Sequence, residues 1–323
     1  MQNKFFKDIN AIPEEIMVAL EHSWYKGYGG NNFSSVTRLM QPPKMFWIGK
    51  QLEKDTSPKP ASKYLYALEG HINHGFFETV FGEIDGYVTE QSMSVPYKVD
   101  GREFIISGTT DLINKTAGIL TDWKNMSVAK FNRGDFIDYE RQLNIYAYIV
   151  NVLHLKGTLD YMIKKLKIVA KLRDWSQMGT IQSSSYPKVM YQTIPVRLWP
   201  SREARSYIDQ RIRTLIHYEN YELDDIPECT AVDRWQQEAT FPVFKVQKNG
   251  EVAKTARACS GTAKFTCREQ GLEWIQKKID DPKCKDKHTI VERKSNPLRC
   301  KEYCQASQSG ACSWWEQNKH LYV

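Results

Sequence analysis

The stretch Ser107–Tyr148, SGTTDLINKTAGILTDWKNMSVAKFNRGDFIDYERQLNIYAY, constrains the fold more than any other part of the chain. It sets Asp111 at the end of one apolar run and Asp122-Trp123-Lys124 on the next, with a short turn between them. Side chains alternate across a strand, so Asp122 and Lys124 share a face while Trp123 points into the opposite layer. A neighbouring strand that delivers Asp111 beside this pair gathers two carboxylates and an ammonium in a small volume. Such a set holds a hard divalent cation through oxygen and activates a water next to a phosphate. A lone D-x-K is most often a solvated strand-face pair, with the other aspartate in a turn. The flanking elements must therefore decide.

Upstream, Tyr64–Phe81 (YLYALEGHINHGFFETVF) has apolar residues at Leu65, Leu68, Ile72 and Phe76, the spacing of a helix. Gly70, His74 and Glu78 fall four apart and share one face, while His71 sits on another and reads as surface. Downstream, Asp138–Leu153 reads as a second helix with Gln142 and Tyr146 four apart. The order is a helix with G-x3-H-x3-E, a strand ending in G-x-x-D, a strand with D-x-K, and a helix with Q-x3-Y. This constellation resembles the RecB-like branch of the PD-(D/E)xK nuclease superfamily, which also contains the CRISPR adaptation-associated nucleases. The pattern looks closest to phage-encoded RecB-like exonucleases. The segments VTRLMQPP (Val36–Pro43), VAKLRDW (Val169–Trp175), CTAVDRW (Cys229–Trp235) and CKEYC (Cys300–Cys304) extend the resemblance collinearly from about Ser34 onward.

The resemblance implies an α/β, restriction-endonuclease-like core, a central mixed sheet flanked by helices. A helical N-terminal region and a Cys-rich C-terminal metal-cluster cap would complete it. It makes Asp111 and Asp122 metal ligands, joined by the main-chain carbonyl of Trp123. Lys124 would orient the attacking water and stabilise the developing negative charge. His74 would be a further ligand, whose imidazole makes Mn2+ competitive with Mg2+; the alternative is a satisfied core histidine. Glu78 is either an acid behind the ligands or a plain helix-face residue. Gln142 and Tyr146 would face the site and contact the bound strand or Lys124, with ordinary packing as the alternative for Tyr146. Arg173 and Asp174 follow a strand of the pattern but acquire no chemical role from it.

The implied activity is metal-dependent hydrolysis of DNA phosphodiester bonds, as an exonuclease on DNA ends or single strands. The alternatives are an endonuclease with the same site, a DNA-binding member that does not cut, and a cysteine-metal scaffold that recruits partners. Recombination, genome degradation and replication would all use this chemistry, so proteins of recombination or replication are the partners to expect. A phage-encoded chain would act in the cytoplasm of its bacterial host.

Composition adds bounds. A net charge of +7 and a pI near 8.9 suit a polyanionic partner. The basic clusters Lys164–Arg173 and Arg202–Arg213 would track phosphates beside a phosphodiesterase core, or simply form solvated faces. The longest apolar run, Ile145–Leu153, is too short to span a bilayer, and the start MQNKFFKDINAIPEE lacks the apolar core of a secretory signal. The expectation is a protein that stays in a reducing cytoplasm. Three regions follow: 1–60 helical and irregular, 61–220 the nuclease core, and 221–323 polar and cysteine-rich. The first opens a helix at Pro13-Glu14-Glu15, is broken at Tyr28–Asn32, and has a short helix ended by Pro42-Pro43. The core should add strands over Tyr161–Lys171 and Val189–Val196 and a helix over Ser201–Asn220. The last region should hold a hairpin over Phe244–Cys259 around Asn249-Gly250 and a helix over Arg268–Asp280.

All seven cysteines follow residue 228, which suits a metal site confined to the C-terminal third better than a disulfide framework. Cys300, Cys304 and Cys312, with Cys229 from the CTAVDRW segment, resemble the cysteine sets that hold a [4Fe–4S] cluster in RecB-like nucleases. Two departures stand out: the gap before Cys312 is long, and no cysteine lies upstream of the core. Cys259, Cys267 and Cys284 are substitutes for the fourth ligand. Zinc is the rival, with Cys284-x3-His288 able to join it, and reduced metal-free thiols are the third reading. Trp314-Trp315 would shield a cluster or simply pack.

Overall fold

In the computed structural model of the chain, the described residues are 6–7, 11–23, 35–52, 59–246, 250–252, 265–281 and 286–322. The fold is mixed α/β, built on a five-stranded sheet. Its strands are β1 (Tyr87–Val99), β2 (Arg102–Asn114), β3 (Ile119–Met126), β4 (Lys165–Leu172) and β5 (Tyr191–Val196), side by side in that order. Neighbours run antiparallel except β3 and β4, which are parallel. A parallel pair needs a long crossover, and the Ile137–Leu155 helix lies in that connection.

Three helices flank the sheet: α1 (Leu65–Gly82), α2 (Ile137–Leu155) and α3 (Ser201–His217). Met93, Val95, Tyr97 and Val99 of β1 alternate with exposed neighbours, as do Leu166, Ile168, Ala170 and Leu172 of β4 with lysines and Val169. This apolar face meets α2 and α3: Tyr97 packs edge-on against Tyr148 of α2 and donates to Asp209 of α3 at 2.7 Å. Leu143, Ile145 and Ile149 of α2 are fully buried, each contributing roughly 1.5–3 kcal/mol. Buried Asn144 is satisfied through the carbonyls of Glu140 and Arg197 and the Trp199 amide.

Helix α1 covers the other face, but its expected apolar stripe splits: Leu65 and Leu68 pack in a cluster with Met17 and Leu20, whereas the later positions face out and the sheet meets the residues one step on. Ile72 and Phe76 are each 63% exposed. The sheet-facing positions are Glu69, Asn73, Phe77 and Phe81, which reach Lys171, Asn125, Trp123 and Tyr87. The two polar residues take core-side positions because each finds a polar partner on the sheet, and the aromatic stack of Phe77 on Trp123 at 3.9 Å fixes the helix phase.

The chain divides into two compact units, residues 1–46 with 53–221, and residues 47–52 with 222–323. In the first, the helix Glu14–Ser23 starts just after Pro13, and the short helix Val36–Leu39 ends before Pro42-Pro43. Pro43 also opens the helix Pro43–Leu52, which the sequence reading did not foresee. Tyr28–Asn32 lies outside the described residues. The fourth strand starts at Lys165 rather than Tyr161, and α3 ends at His217 rather than Asn220. In the second unit, α4 (Arg268–Ile279) forms, and Val243–Lys245 pairs antiparallel with His288–Ile290. Of the expected hairpin, an antiparallel bridge Val246–Val252 is described, while Asn249 and Cys259 lie outside the described residues. No described helix is long and apolar enough to cross a membrane.

Candidate active site

Strands β2 and β3 pair over only three residues, Leu112↔Thr121, Ile113↔Leu120 and Asn114↔Ile119. Beyond them β2 stays with β1 and β3 stays with β4, so the sheet forks. Asp111 and Asp122 are the first residues past the last pair, facing each other at the mouth of the fork. Asp111 Oδ2 accepts a hydrogen bond from the Trp123 amide at 2.7 Å, substituting for the missing ladder bond. Ser35 bridges to Ser107 on the freed edge of β2, so the N-terminal segment occupies part of the opening.

The fork lets both faces of the sheet reach the same carboxylates. From α1, His74 Nδ1 lies 3.1 Å from Glu90 Oε1 and 3.8 Å from Asp111 Oδ1. From α2, Tyr139 lies under the Lys124 ammonium at 5.5 Å. Lys124 Nζ is 2.7 Å from Asp122 Oδ2, and Asp122 is 2% exposed. Trp123 points the other way into the α1 stack, as strand alternation requires. Gln142 donates to the Tyr146 hydroxyl at 3.1 Å, and Tyr146 is buried. Glu78 is exposed on α1 and joins none of these contacts. The carboxylate that completes the His74 environment is Glu90, which the sequence reading missed. Asp174, left without a role, accepts from the Val128 amide at 2.7 Å, while the Arg173 amide donates to Met126. Both contacts pin the chain just after Lys124.

The electrostatics follow from burial and crowding. Burial, then repulsion from Asp122, raises the Asp111 pKa to about 7, with Lys124 and His74 opposing. Burial works against a charged Lys124, but Asp122 and Asp111 outweigh it and hold the ammonium well above the ordinary lysine value. The hydrogen bond to Glu90 raises the His74 pKa, against burial and with help from Asp111. Burial lifts Tyr146 to about 12, so its hydroxyl stays protonated at neutral pH. Two carboxylates, an imidazole and an adjacent carbonyl form a donor set suited to a hard or borderline divalent cation. Binding a cation must displace the protons on Asp111 and His74. Its affinity is therefore expected to be flat at high pH and to fall below about 7 by roughly tenfold per unit for each proton. Calorimetric Mn2+ titrations at pH 8, 7 and 6 check this; an affinity independent of pH would show that Asp111 is not a ligand.

Gly108 of the G-x-x-D segment has a steric reason to be glycine. A Cβ there would come within 2.3 Å of Tyr146 Cε1 and 3.1 Å of Val36 Cγ2. Gly108→Ala should displace the Tyr146 ring and cost about 1–3 kcal/mol of stability. Gly101→Ala, whose Cβ would meet nothing within 4 Å but whose φ is +82°, supplies a control for strain without displacement of Tyr146. Denaturant melts measure both costs.

In the C-terminal unit, Cys300, Cys304 and Cys312 are buried and Cys229 is partly buried. Burial raises the Cys229 thiol to about 12, and Asp233 and the other three thiols add to the rise. Burial likewise lifts Cys300 to about 11, again with Cys304 and Cys312 contributing. The four thiols thus sense one another. Cys300 lies within, and Cys304 just after, a π-helical turn closed by the Cys304 amide on the Arg299 carbonyl at 2.7 Å. Arg234 donates to the Cys229 carbonyl and stacks on Trp314 at 4.1 Å, and Trp315 is buried. Cys267 caps α4 instead, and Cys259 and Cys284 lie outside the described residues. In α3, Arg202, Arg205 and Arg213 line a groove of about 470 Å3, Arg213 also pairing with Asp100, while Arg211 donates to the carbonyls of Leu39 and Gln41.

No protein-family model matches this chain, and no curated protein matches it. Among solved structures, it is similar to one described as the crystal structure of SSO0001, at 18% identity and a TM-score of 0.44. That likeness covers 64% of this chain and 86% of the other.

Proposed function

We propose that this chain is a metal-dependent DNA nuclease of the RecB-like PD-(D/E)xK kind, with a restriction-endonuclease-like core and a cysteine-held cluster in a C-terminal cap. The observation that carries the reading is the meeting of Asp111, Asp122 and Lys124 at the fork between β2 and β3, with His74 beside them. Asp111, Asp122, the Trp123 carbonyl and His74 are the residues that would hold Mg2+ or Mn2+. A bound cation supplies charge neutralisation at the phosphate and acidifies a water. Lys124, held positive by its two carboxylate neighbours, orients the attacking water and stabilises charge on the phosphate oxygens. Tyr146, kept protonated and fixed by Gln142, donates a hydrogen bond toward the bound strand or accepts one from the Lys124 ammonium. Arg202 and Arg205 offer phosphate contacts, while Arg211 is engaged by main-chain carbonyls and Arg213 by Asp100.

The cluster assignment rests on Cys229, Cys300, Cys304 and Cys312. Four cysteine thiolates can ligate either a [4Fe–4S] cluster or a zinc ion, and the resemblance of this cysteine set to that of RecB-like nucleases favours the cluster. The DNA test compares end-labelled linear single strands with covalently closed circles of the same sequence, in Mn2+ or EDTA. Loss of the linear form alone, and only with Mn2+, is the expected exonuclease result. Equal cutting of circles would make the chain an endonuclease with the same site. Binding without cutting in either metal would make it a DNA-binding member of the same fold.

A further inference from the structure

Strand β3 ends at Met126, and the chain turns at once into a short helix, Val128–Arg133. Three contacts fix that helix close behind Lys124. The Ser127 hydroxyl accepts from the Lys130 amide at 3.2 Å, and Asp174 accepts from the Val128 amide at 2.7 Å. Gly134 closes the C-terminus in the left-handed conformation, its amide donating to the Phe131 carbonyl. Lys130 and Arg133 are three residues apart in the last turn and so share one side. Among the described residues no carboxylate pairs with either, while Asp138 at the start of α2 pairs with Arg141.

The Lys130 ammonium lies 4.6 Å from the centre of the Tyr139 ring, and the Lys124 ammonium lies 5.5 Å from the same centre. One ring thus attracts both cations and keeps them no farther apart than those two distances laid end to end. Asp122 offsets the charge of Lys124, whereas Lys130 has the ring but no carboxylate, so the pair leaves positive charge unbalanced beside the fork. A nucleic-acid strand carries one charge per nucleotide. A strand whose reacting phosphate meets Lys124 therefore brings its next phosphate into the same neighbourhood. We propose that Lys130 binds the backbone phosphate adjacent to the one being cut, with Tyr139 spacing the two ammonium groups and Arg133 taking the phosphate beyond. This deepens the nuclease reading and rests on it for which phosphate reacts, though not for the phosphate binding itself. Held by a capped helix and a ring, the contact sets the register of the strand over the site as well as adding affinity.

The test compares the full chain with Lys130→Met, which keeps an apolar stem on the Tyr139 ring and removes the charge, and with Lys130→Arg, which restores it. Binding of a short single-stranded oligonucleotide is first measured in EDTA across a salt series. Lys130→Met should lower the steepness of log affinity against log salt by about 0.7, the value of one phosphate contact on a single strand, and Lys130→Arg should return it. Oligonucleotides carrying one neutral methylphosphonate linkage, stepped along the strand, are then cut under single-turnover conditions in Mn2+. In the wild type, neutralising the linkage next to the scissile one should slow cleavage by roughly tenfold or more. In Lys130→Met the same linkage should change the already slower rate by less than about twofold, because its partner charge is gone. An unchanged salt dependence in Lys130→Met overturns the proposal, as does a methylphosphonate pattern identical in the two proteins. A salt dependence that shifts as expected in a protein that cuts no DNA would refute the nuclease reading and leave the phosphate contact standing. Cutting with neither effect would refute this inference alone.

Discussion

Asp122→Asn and Lys124→Ala should each reduce Mn2+-dependent DNA cleavage by at least about a thousandfold, the scale of losing a major charge-stabilising group at a transition state. The two variants should fail for different reasons. Asp122→Asn removes a ligand and leaves the Lys124 ammonium buried with Asp111 as its remaining acidic partner, so the fold should also weaken by a few kcal/mol. It also removes the carboxylate whose repulsion helps raise Asp111, so the Asp111 pKa should drop from about 7. Lys124→Ala takes away a charge that lowers the Asp111 pKa, so Asp111 should hold its proton to higher pH. That ammonium also repels a bound cation, so Mn2+ affinity in Lys124→Ala should match or exceed that of the wild type at pH 8.5 and fall more between pH 8.5 and pH 7 as Asp111 takes up its proton. Cleavage assays paired with Mn2+ titrations at both pH values separate the cases. Near-normal cleavage by Asp122→Asn would mean that the reacting centre lies elsewhere.

Much of this site was legible because a strand has a period of two and a helix a spacing of four. The alternation around Asp122-Trp123-Lys124 separated the acid and lysine from the tryptophan, and the i, i+4 spacing paired Gln142 with Tyr146. What escaped depended on tertiary partners. The hydrophobic stripe holds at Leu68, which is buried, but fails at Ile72 and Phe76, because Glu69 and Asn73 find partners in Lys171 and Asn125 and Phe77 finds Trp123. The same helix phase leaves Glu78 in solvent. Glu90 carried no local signal, since a glutamate in TEQS reads as an ordinary strand-face residue. Only the register of β1 against β2 sets it opposite Asp111. The Ser35–Ser107 bridge was equally invisible, because the edge it uses exists only once β2 and β3 part.

The cysteines allow a second large effect to be foreseen. If they were metal-free, three buried thiols and the partly buried Cys229 would behave as small hydrophobes, and Cys304→Ala would cost on the order of 1 kcal/mol in lost packing. If they hold a cluster, the thiols must give up protons that burial otherwise retains up to about 12 at Cys229 and about 11 at Cys300, and the metal's charge must offset that cost. Binding free energy then becomes folding free energy for the C-terminal unit, and loss of one ligand forfeits most of it. The expected result is brown protein after anaerobic purification, with broad visible absorbance and four irons per cluster by the chemistry of the assignment. Cys300→Ala, Cys304→Ala, Cys312→Ala or Cys229→Ala should bleach it and make residues 222–323 sensitive to limited proteolysis. Cys267→Ala, at the N-terminus of α4, should leave both colour and protease resistance unchanged. Because the competing protons leave as pH rises, reconstitution with iron and sulfide should be favoured at pH 8 over pH 6. Colourless wild-type protein with one zinc per chain would replace the cluster by a zinc site on the same residues. Protein that carries no metal and tolerates Cys304→Ala with a cost near 1 kcal/mol would assign the thiols to plain packing.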